Sequence, residues 1–437
     1  MALGGGLWVA QNKILPGAYI NFISAARATA TLSDRGIATI PIINDWGAAG
    51  EVLEVSSSDF QKNSLKLFGY DFTDPKMKGL RDLFKNIRLG YIFRLGDGGT
   101  KASNTLATAK FAGERGNALK IIVAANVDES SKFDVTVLLD TTVVYKQTVA
   151  SSAELSENDF VVWKSAALTL TAGTPLSGGA SPMITNADHQ TYIDVIEGYS
   201  FNTIGCLSGD AAVKGLYGAF TRRMRDEQGV KFQCVMFNPD ANSDYEGVID
   251  VMNSVTDNGA DEWSAVYWAT GVLAGTNVNQ SAMNRIYTGE YAMNVAFTQS
   301  QLERAILGGK FAFHRVGNSE IRVLADINSL VNTTAEKGDD LKQNQTIRVI
   351  DQIANDIAVL FSTKYLGIIP NDADGRISLW SDIVQHHDQL QTIRAIQDFS
   401  GDNVTVEEGN TKRSVLVRDV VTVVNAMEQL YMTVSVA

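Results

Sequence analysis

Four histidines, two cysteines and seven prolines are all that this chain of 437 residues holds of those types. The histidines, His189, His314, His386 and His387, stand in no ligand spacing such as H-E-x-x-H, so the chain spells out no histidine-based metal site. His386 and His387 are neighbours on a predicted helix, where adjacent side chains point about 100° apart and do not readily chelate one ion. They read as polar helix surface. Cys206 and Cys234 lie in apolar surroundings. One disulfide is conceivable, but two buried thiols in a reducing compartment fit better. Scarce proline argues against Pro-rich linkers. No run reaches the roughly 18 apolar residues of a membrane span. The opening Met-Ala-Leu-Gly-Gly-Gly has neither a basic region nor a long apolar one, so a Sec signal is not expected. The chain is expected to fold in a cytoplasm, and to leave, if it leaves, by another route. Surplus basic charge is also missing: 37 Lys and Arg stand against 49 Asp and Glu, a net charge of −12. Coating DNA or RNA needs the opposite balance.

Catalytic motifs are missing as well. There is no G-x-S-x-G elbow, and no G-x-G-x-x-G follows a strand. Gly308-Gly309-Lys310 lacks the earlier glycine and the following Ser or Thr of a phosphate loop. Asn371-Asp372-Ala373-Asp374-Gly375 resembles half a calcium loop, but Pro370 holds the first ligand position and no Glu closes it. It reads as a Gly-closed turn. No cofactor and no catalytic or metal-ligating residue is expected.

The chain does hold material for several cores. Hydrophobic residues make up 45 % and charged ones 20 %, the mixture of a folded protein. At about 150 residues per domain, the length allows three. Residues 1–23 read as an arm, with three glycines ahead of Leu7, Trp8 and Val9, then a Pro16-Gly17 turn and the alternating Ala18, Ile20 and Phe22. Residues 24–96 form a first body segment, with a strand over 37–43 and helices over 59–68 and 76–85. Residues 97–180 are a separate β-domain, with strands over 121–124, 133–139, 142–149, 160–163 and 167–171. Residues 181–330 alternate strand and helix, which argues for a largely parallel sheet. Within them, 203–207 and 232–237 read as buried strands. Val248, Met252 and Val255 at helical spacing predict a helix over 245–255. Thr298 and Gln301 make a capping box for a helix that ends at Gly308. Residues 331–425 are α+β: a helix striped by Ile347, Ile350, Ile353, Ile357 and Phe361, a second with Leu390, Ile393 and Ile396, and a hairpin turning at 407–410. The fold class is therefore multidomain α/β and α+β.

Residues 426–437 form the second arm. Leu430, Met432, Val434 and Val436 alternate with Tyr431, Thr433 and Ser435 to the last residues. Termini are normally frayed and polar, so this apolar strand needs a sheet, its own or a neighbour's. An unpaired edge invites strand addition from another chain. Arg222, Arg223 and Arg225 form a small basic cluster offset by Asp226 and Glu227. They read as a solvated helix face that meets an acidic neighbour, and so as candidate contacts between subunits.

Several stretches carry a family resemblance: Leu15-Pro-Gly-Ala-Tyr-Ile-Asn-Phe22; Gly113 to Asn117; Ala274-Gly-Thr-Asn-Val-Asn-Gln-Ser281; Asp326-Ile-Asn-Ser-Leu330; Arg348-Val-Ile-Asp351; Tyr365-Leu-Gly367 with Asn371 and Gly375-Arg376; and Ala426-Met-Glu-Gln-Leu-Tyr-Met-Thr-Val434. In these the chain resembles the tail sheath proteins of contractile phages and related injection particles, of the Gram-positive myophage or R-type bacteriocin kind. The resemblance implies a subtilisin-like α/β sheath domain without protease function, an outward-facing 97–180 domain and a tube-facing C-terminal domain. It implies arms that complete a neighbour's sheet, and stacked hexameric rings in a six-start helix around an inner tube. The implied partners are neighbouring sheath subunits, the inner tail tube protein, and baseplate and tail terminator proteins, with no nucleic acid and no direct membrane insertion. The implied setting is a virion tail or headless particle assembled in a bacterial cytoplasm. Two other readings of the residues remain open: an α/β hydrolase-like enzyme and a static tube-forming protein.

Overall fold

The structure, a computed structural model, describes residues 32–317 and 320–436. The arm residues Leu7, Trp8, Val9, Ala18, Ile20 and Phe22 lie outside them. Two compact units divide the chain, one taking in residues 33–355, 390–399 and 421–437 and the other 356–389 and 400–420.

The first unit is built on a seven-stranded sheet in the order Lys310–Phe311, Val248–Val251, Gln233–Phe237, Thr203–Cys206, Ile37–Ile42, Leu89–Arg94, Val52–Ser56. Every neighbouring pair is parallel except the last. Residues on both sides of the 97–180 stretch therefore share one sheet. Parallel strands buried on both faces divide their side chains between two cores. Val235, Phe237, Ile249 and Val251 face one core with the helices Ser57–Phe68, Lys78–Phe84 and Ala265–Gly275. Cys234, Met236, Val248 and Ile204 face the other with the helices Asn186–Ile196 and Ala211–Arg222. The caps are local: Ser56 accepts from the Asp59 amide, Asp210 from the amides of Ala212 and Val213, and Thr298 and Gln301 close the expected box on Gln299–Leu307. Gly275 ends the helix Ala265–Gly275 against the loop that follows Lys78–Phe84. A Cβ there would lie 1.8 Å from the Asn86 carbonyl oxygen, so only glycine fits.

Two sequence expectations are corrected in this part of the chain. Residues 245–255 are not a helix, because Val248–Val251 is a fully buried strand between two parallel neighbours. The helix expected to carry Ile396 stops at Thr392. Arg394, at φ +63°, turns the chain into the short strand Ile396–Gln397.

Inserted after Leu89–Arg94 is the β-domain, whose antiparallel sheet runs Thr142–Val149, Phe133–Leu139, Leu119–Ala125, Thr171–Pro175. Its last strand starts where the expected one over 167–171 was to end. Ala107–Ala109 and Val161–Trp163 pair separately. Val135, Val137 and Leu139 point inward as the alternation predicts, and Trp46 from the body enters the same core. Gly113, at φ +137°, lets the backbone pass where a Cβ would meet the Asp45 carbonyl oxygen at 2.0 Å.

The second unit holds the helix Ala373–Thr392 through Gln389 and the hairpin Val404–Glu408/Val415–Asp419. Asp372 caps that helix through the Gly375 amide at 2.8 Å, which is the role of the half calcium loop. The Trp380 indole N–H donates to the carbonyls of Gly401 and Val404 at 3.1 and 3.0 Å. His386 and His387 are not polar surface. Both are buried, His386 against Asp356 at 3.0 Å and His387 against Asp419 at 2.8 Å. Carboxylate partners thirty or more residues away satisfy the imidazoles, and helical position alone does not reveal them.

Candidate assembly surfaces

In the first unit burial raises both thiols and lowers both imidazoles. Burial pushes the Cys206 thiol up to about 12 and that of Cys234 well above its ordinary value, and both are free. His189 Nδ1 lies 3.0 Å from the Tyr217 hydroxyl, and burial lowers its pKa. His314 is held low by burial and by Arg322 across the hairpin Phe313–Val316/Glu320–Val323. Among the described residues no three His, Cys, Asp or Glu side chains cluster as a metal site. Among them, too, no helix is long and apolar enough to cross a membrane.

The C-terminal segment differs from everything else in the unit. Thr422–Val423 pairs antiparallel with Ile396–Gln397. Gln345 then clamps the departing chain, donating to the Val424 carbonyl and accepting from the Ala426 amide, each at 3.0 Å. Beyond the clamp, among the described residues, no hydrogen bond ties the segment back to the rest of the chain. Leu430, Met432, Val434 and Val436 are 84, 73, 71 and 94 % exposed, and Tyr431 on the opposite face is 87 % exposed. Both faces of the alternating segment are thus bare, and among the described residues it joins no sheet of its own subunit. Beside its base lies a groove of about 810 Å³ lined by Ser281, Met283, His314, Leu324 and Met427.

Comparison with known proteins identifies the setting. Residues 97–181 match the phage tail sheath protein beta-sandwich domain, 183–329 the phage tail sheath protein central domain, and 336–437 the phage tail sheath C-terminal domain. A sheath tail protein of Desulfitobacterium hafniense has the same fold at TM-score 0.81 and 34 % identity, over 94 % of this chain and 98 % of that one. The chain belongs to the phage tail sheath family. The phage-like element PBSX protein XkdK of Bacillus subtilis is 31 % identical over 99 % of both chains. At 13 % identity the anti-feeding prophage helical sheath in its contracted state shares the fold, with TM-score 0.58 over 96 % of this chain and 98 % of that one.

Three of the stretches that resemble sheath proteins meet at one buried ion pair. Arg348 Nη2 reaches Asp326 Oδ2 at 2.5 Å and the Gln280 carbonyl at 2.8 Å. Asp326 also accepts from the Ala282 amide and from Asn344. Burial pushes the Asp326 carboxyl up, but Arg348 and these donors outweigh it and hold it below its ordinary value. The pair lies 22 residues apart in sequence and its backbone partners 44 and 68, so no local pattern announces it.

The arginine cluster divides. Arg225 is 3 % exposed and forks onto Asp351 at 2.6 and 2.8 Å, 126 residues away. It is a core residue and not a surface donor, which corrects the expectation. Arg223 is engaged by Glu197 at 3.1 and 2.6 Å. Arg222 is exposed, with its guanidinium 4.1 Å above the Tyr245 ring. Of the three, Arg222 alone is exposed and forms no salt bridge among the described residues, though it helps hold the Asp244 carboxyl low.

Proposed function

We propose that the chain is the sheath subunit of a contractile tail or of a headless R-type bacteriocin-like particle. Copies polymerise as stacked hexameric rings around an inner tube, in a six-start helix, and contract to drive the tube through a target envelope. The observation that carries this reading is the C-terminal segment, apolar on alternate positions and bare on both faces. A solitary molecule gains nothing from such a strand, whereas a neighbour's sheet edge supplies both its hydrogen bonds and its apolar cover. Residues 1–23 serve as the other arm. Residues 24–96 and 181–330 form the body, whose helix-covered parallel sheet supports the subtilisin-like description. Residues 97–180 face outward, and 331–425 face the tube. The inner tube, baseplate and tail terminator proteins are the further partners, without nucleic acid or membrane insertion, and assembly takes place in the bacterial cytoplasm.

Contraction then needs two packings of rigid bodies, with the second lower in free energy, while shared strands keep the mesh connected. The subunit itself performs no hydrolysis. Negative-stain images of the purified protein should contain tubes of two diameters. Tubes of a single diameter under all conditions would point instead to a static structural protein. Labelling by a serine-directed active-site probe would favour the hydrolase reading.

A further inference from the structure

A small polar cavity lies where the chain enters the body. Its volume is about 20 Å³, room for a single particle the size of a water molecule or a halide ion. Arg35, on the lead-in to Ile37–Ile42, lines it together with Lys231, Arg348 and Asp351. Arg348, Asp351, Gln352 and Asn355 form one stripe of the helix Asn344–Leu360, at the three- and four-residue spacing that shares a face.

Not every cation lining the cavity has a salt-bridge partner among the described residues. Asp351 is committed to Arg225, and Arg348 to Asp326. Arg35 and Lys231 form no salt bridge, and feel Asp351 and Asp326 (Arg35) or Asp351, Asp226 and Glu246 (Lys231) only from farther off. Arg35 donates to the carbonyls of Thr276 and Leu273 at 3.0 and 3.2 Å, and Lys231 to that of Arg225. Neither makes an ion pair among the described residues. Carbonyl oxygens orient a cation but do not neutralise it. Burial, with Arg348 beside it, pulls Arg35 down to about 9. Burial, with Arg225, likewise lowers Lys231. Arg348 adds the second observation. It is 1 % exposed, yet among the described residues its Nε and Nη1 donors have no hydrogen-bond partner. Two bare N–H groups on a buried guanidinium are expensive to leave unmet, and a small anion meets them with charge-assisted hydrogen bonds.

We propose that this cavity is a binding site for one small monovalent anion of halide size, held by Arg348, Arg35 and Lys231. The anion ties the lead-in segment to the helix Asn344–Leu360. The site is too small for phosphate or a nucleotide.

The test uses the full chain. Crystals soaked in bromide should give an anomalous difference peak between Arg348 and Arg35. Replacing gluconate by chloride at constant ionic strength should raise the melting temperature by about 2–4 °C. Arg35→Gln should fold, since it breaks no ion pair and the glutamine amide can still donate to a carbonyl there, and should lose both the peak and the chloride effect. Arg35→Lys should retain part of each. An ordered water in place of bromide, with equal stability in chloride and gluconate, overturns the proposal. So does an acidic side chain of a neighbouring copy filling the cavity in assembled tubes.

Discussion

Replacing Arg348 by methionine strands the Asp326 carboxylate in the interior with only neutral donors. Removing one member of a buried pair typically costs about 3–5 kcal/mol, and urea unfolding of Arg348→Met should register a loss of that order. The acid limb gives an independent check. A carboxyl whose folded pKa lies below its unfolded one adds stability that is complete above the unfolded value, near 4, and is lost as pH falls through the folded value. Arg348 holds Asp326 on that side. The stability gap between wild type and Asp326→Asn should therefore narrow as pH drops below about 4. A gap that stays constant from neutral to acid pH would remove Arg348 as the cause. At the surface, Arg222→Glu should leave stability within about 0.5 kcal/mol but weaken tube formation at low salt, where exposed charges act farthest. Unchanged assembly at every salt concentration would take Arg222 out of the interface. Little of this was legible in the sequence at the level of single residues. Arg225 and Arg222 differ by three positions and looked alike, yet one is core and the other surface. Their difference lies in Asp351, which only the folded sheet brings near.

Elements were easier to read where the pattern is periodic or capped. The helix from Asn344 was announced by its isoleucine stripe, and Gln299–Leu307 by Thr298 and Gln301. Thr298→Ala removes the side chain that meets the Gln301 amide, and a loss of about 1 kcal/mol in urea unfolding is expected. Gly275→Ala should cost more, roughly 1–3 kcal/mol for a forced backbone shift, because the Asn86 carbonyl has nowhere to go. Val248–Val251 shows where periodicity fails. A strand buried on both faces lacks the alternation of core and surface residues, even its Asp250 being buried, so Val248, Met252 and Val255 imitated a helix by chance of spacing. The joining of Ile37–Ile42 and Leu89–Arg94 to strands beyond residue 200 was not readable either, since nothing local tells a strand which distant edge it will meet.

For the whole molecule the decisive quantity is what the C-terminal segment gains on joining a neighbour. Each shared backbone hydrogen bond contributes roughly 0.5–1.5 kcal/mol. Each of Leu430, Met432, Val434 and Val436, now exposed, contributes about 1.5–3 kcal/mol when covered. Ordering the segment takes back about 1–2 kcal/mol per residue. The balance per arm is small, so one contact between two subunits is weak. A lattice in which every copy both lends and receives an arm multiplies it through effective concentration. Deleting residues 430–437 should thus leave the melting temperature of the monomer nearly unchanged, because Leu430, Met432, Val434 and Val436 are largely exposed, and should abolish tubes. Leu430→Asp with Val434→Asp should do the same without shortening the chain. Sedimentation and negative-stain imaging of both variants read the outcome. Tubes of normal length and diameter from either would mean that the bodies, and not the strands lent between them, hold the polymer together.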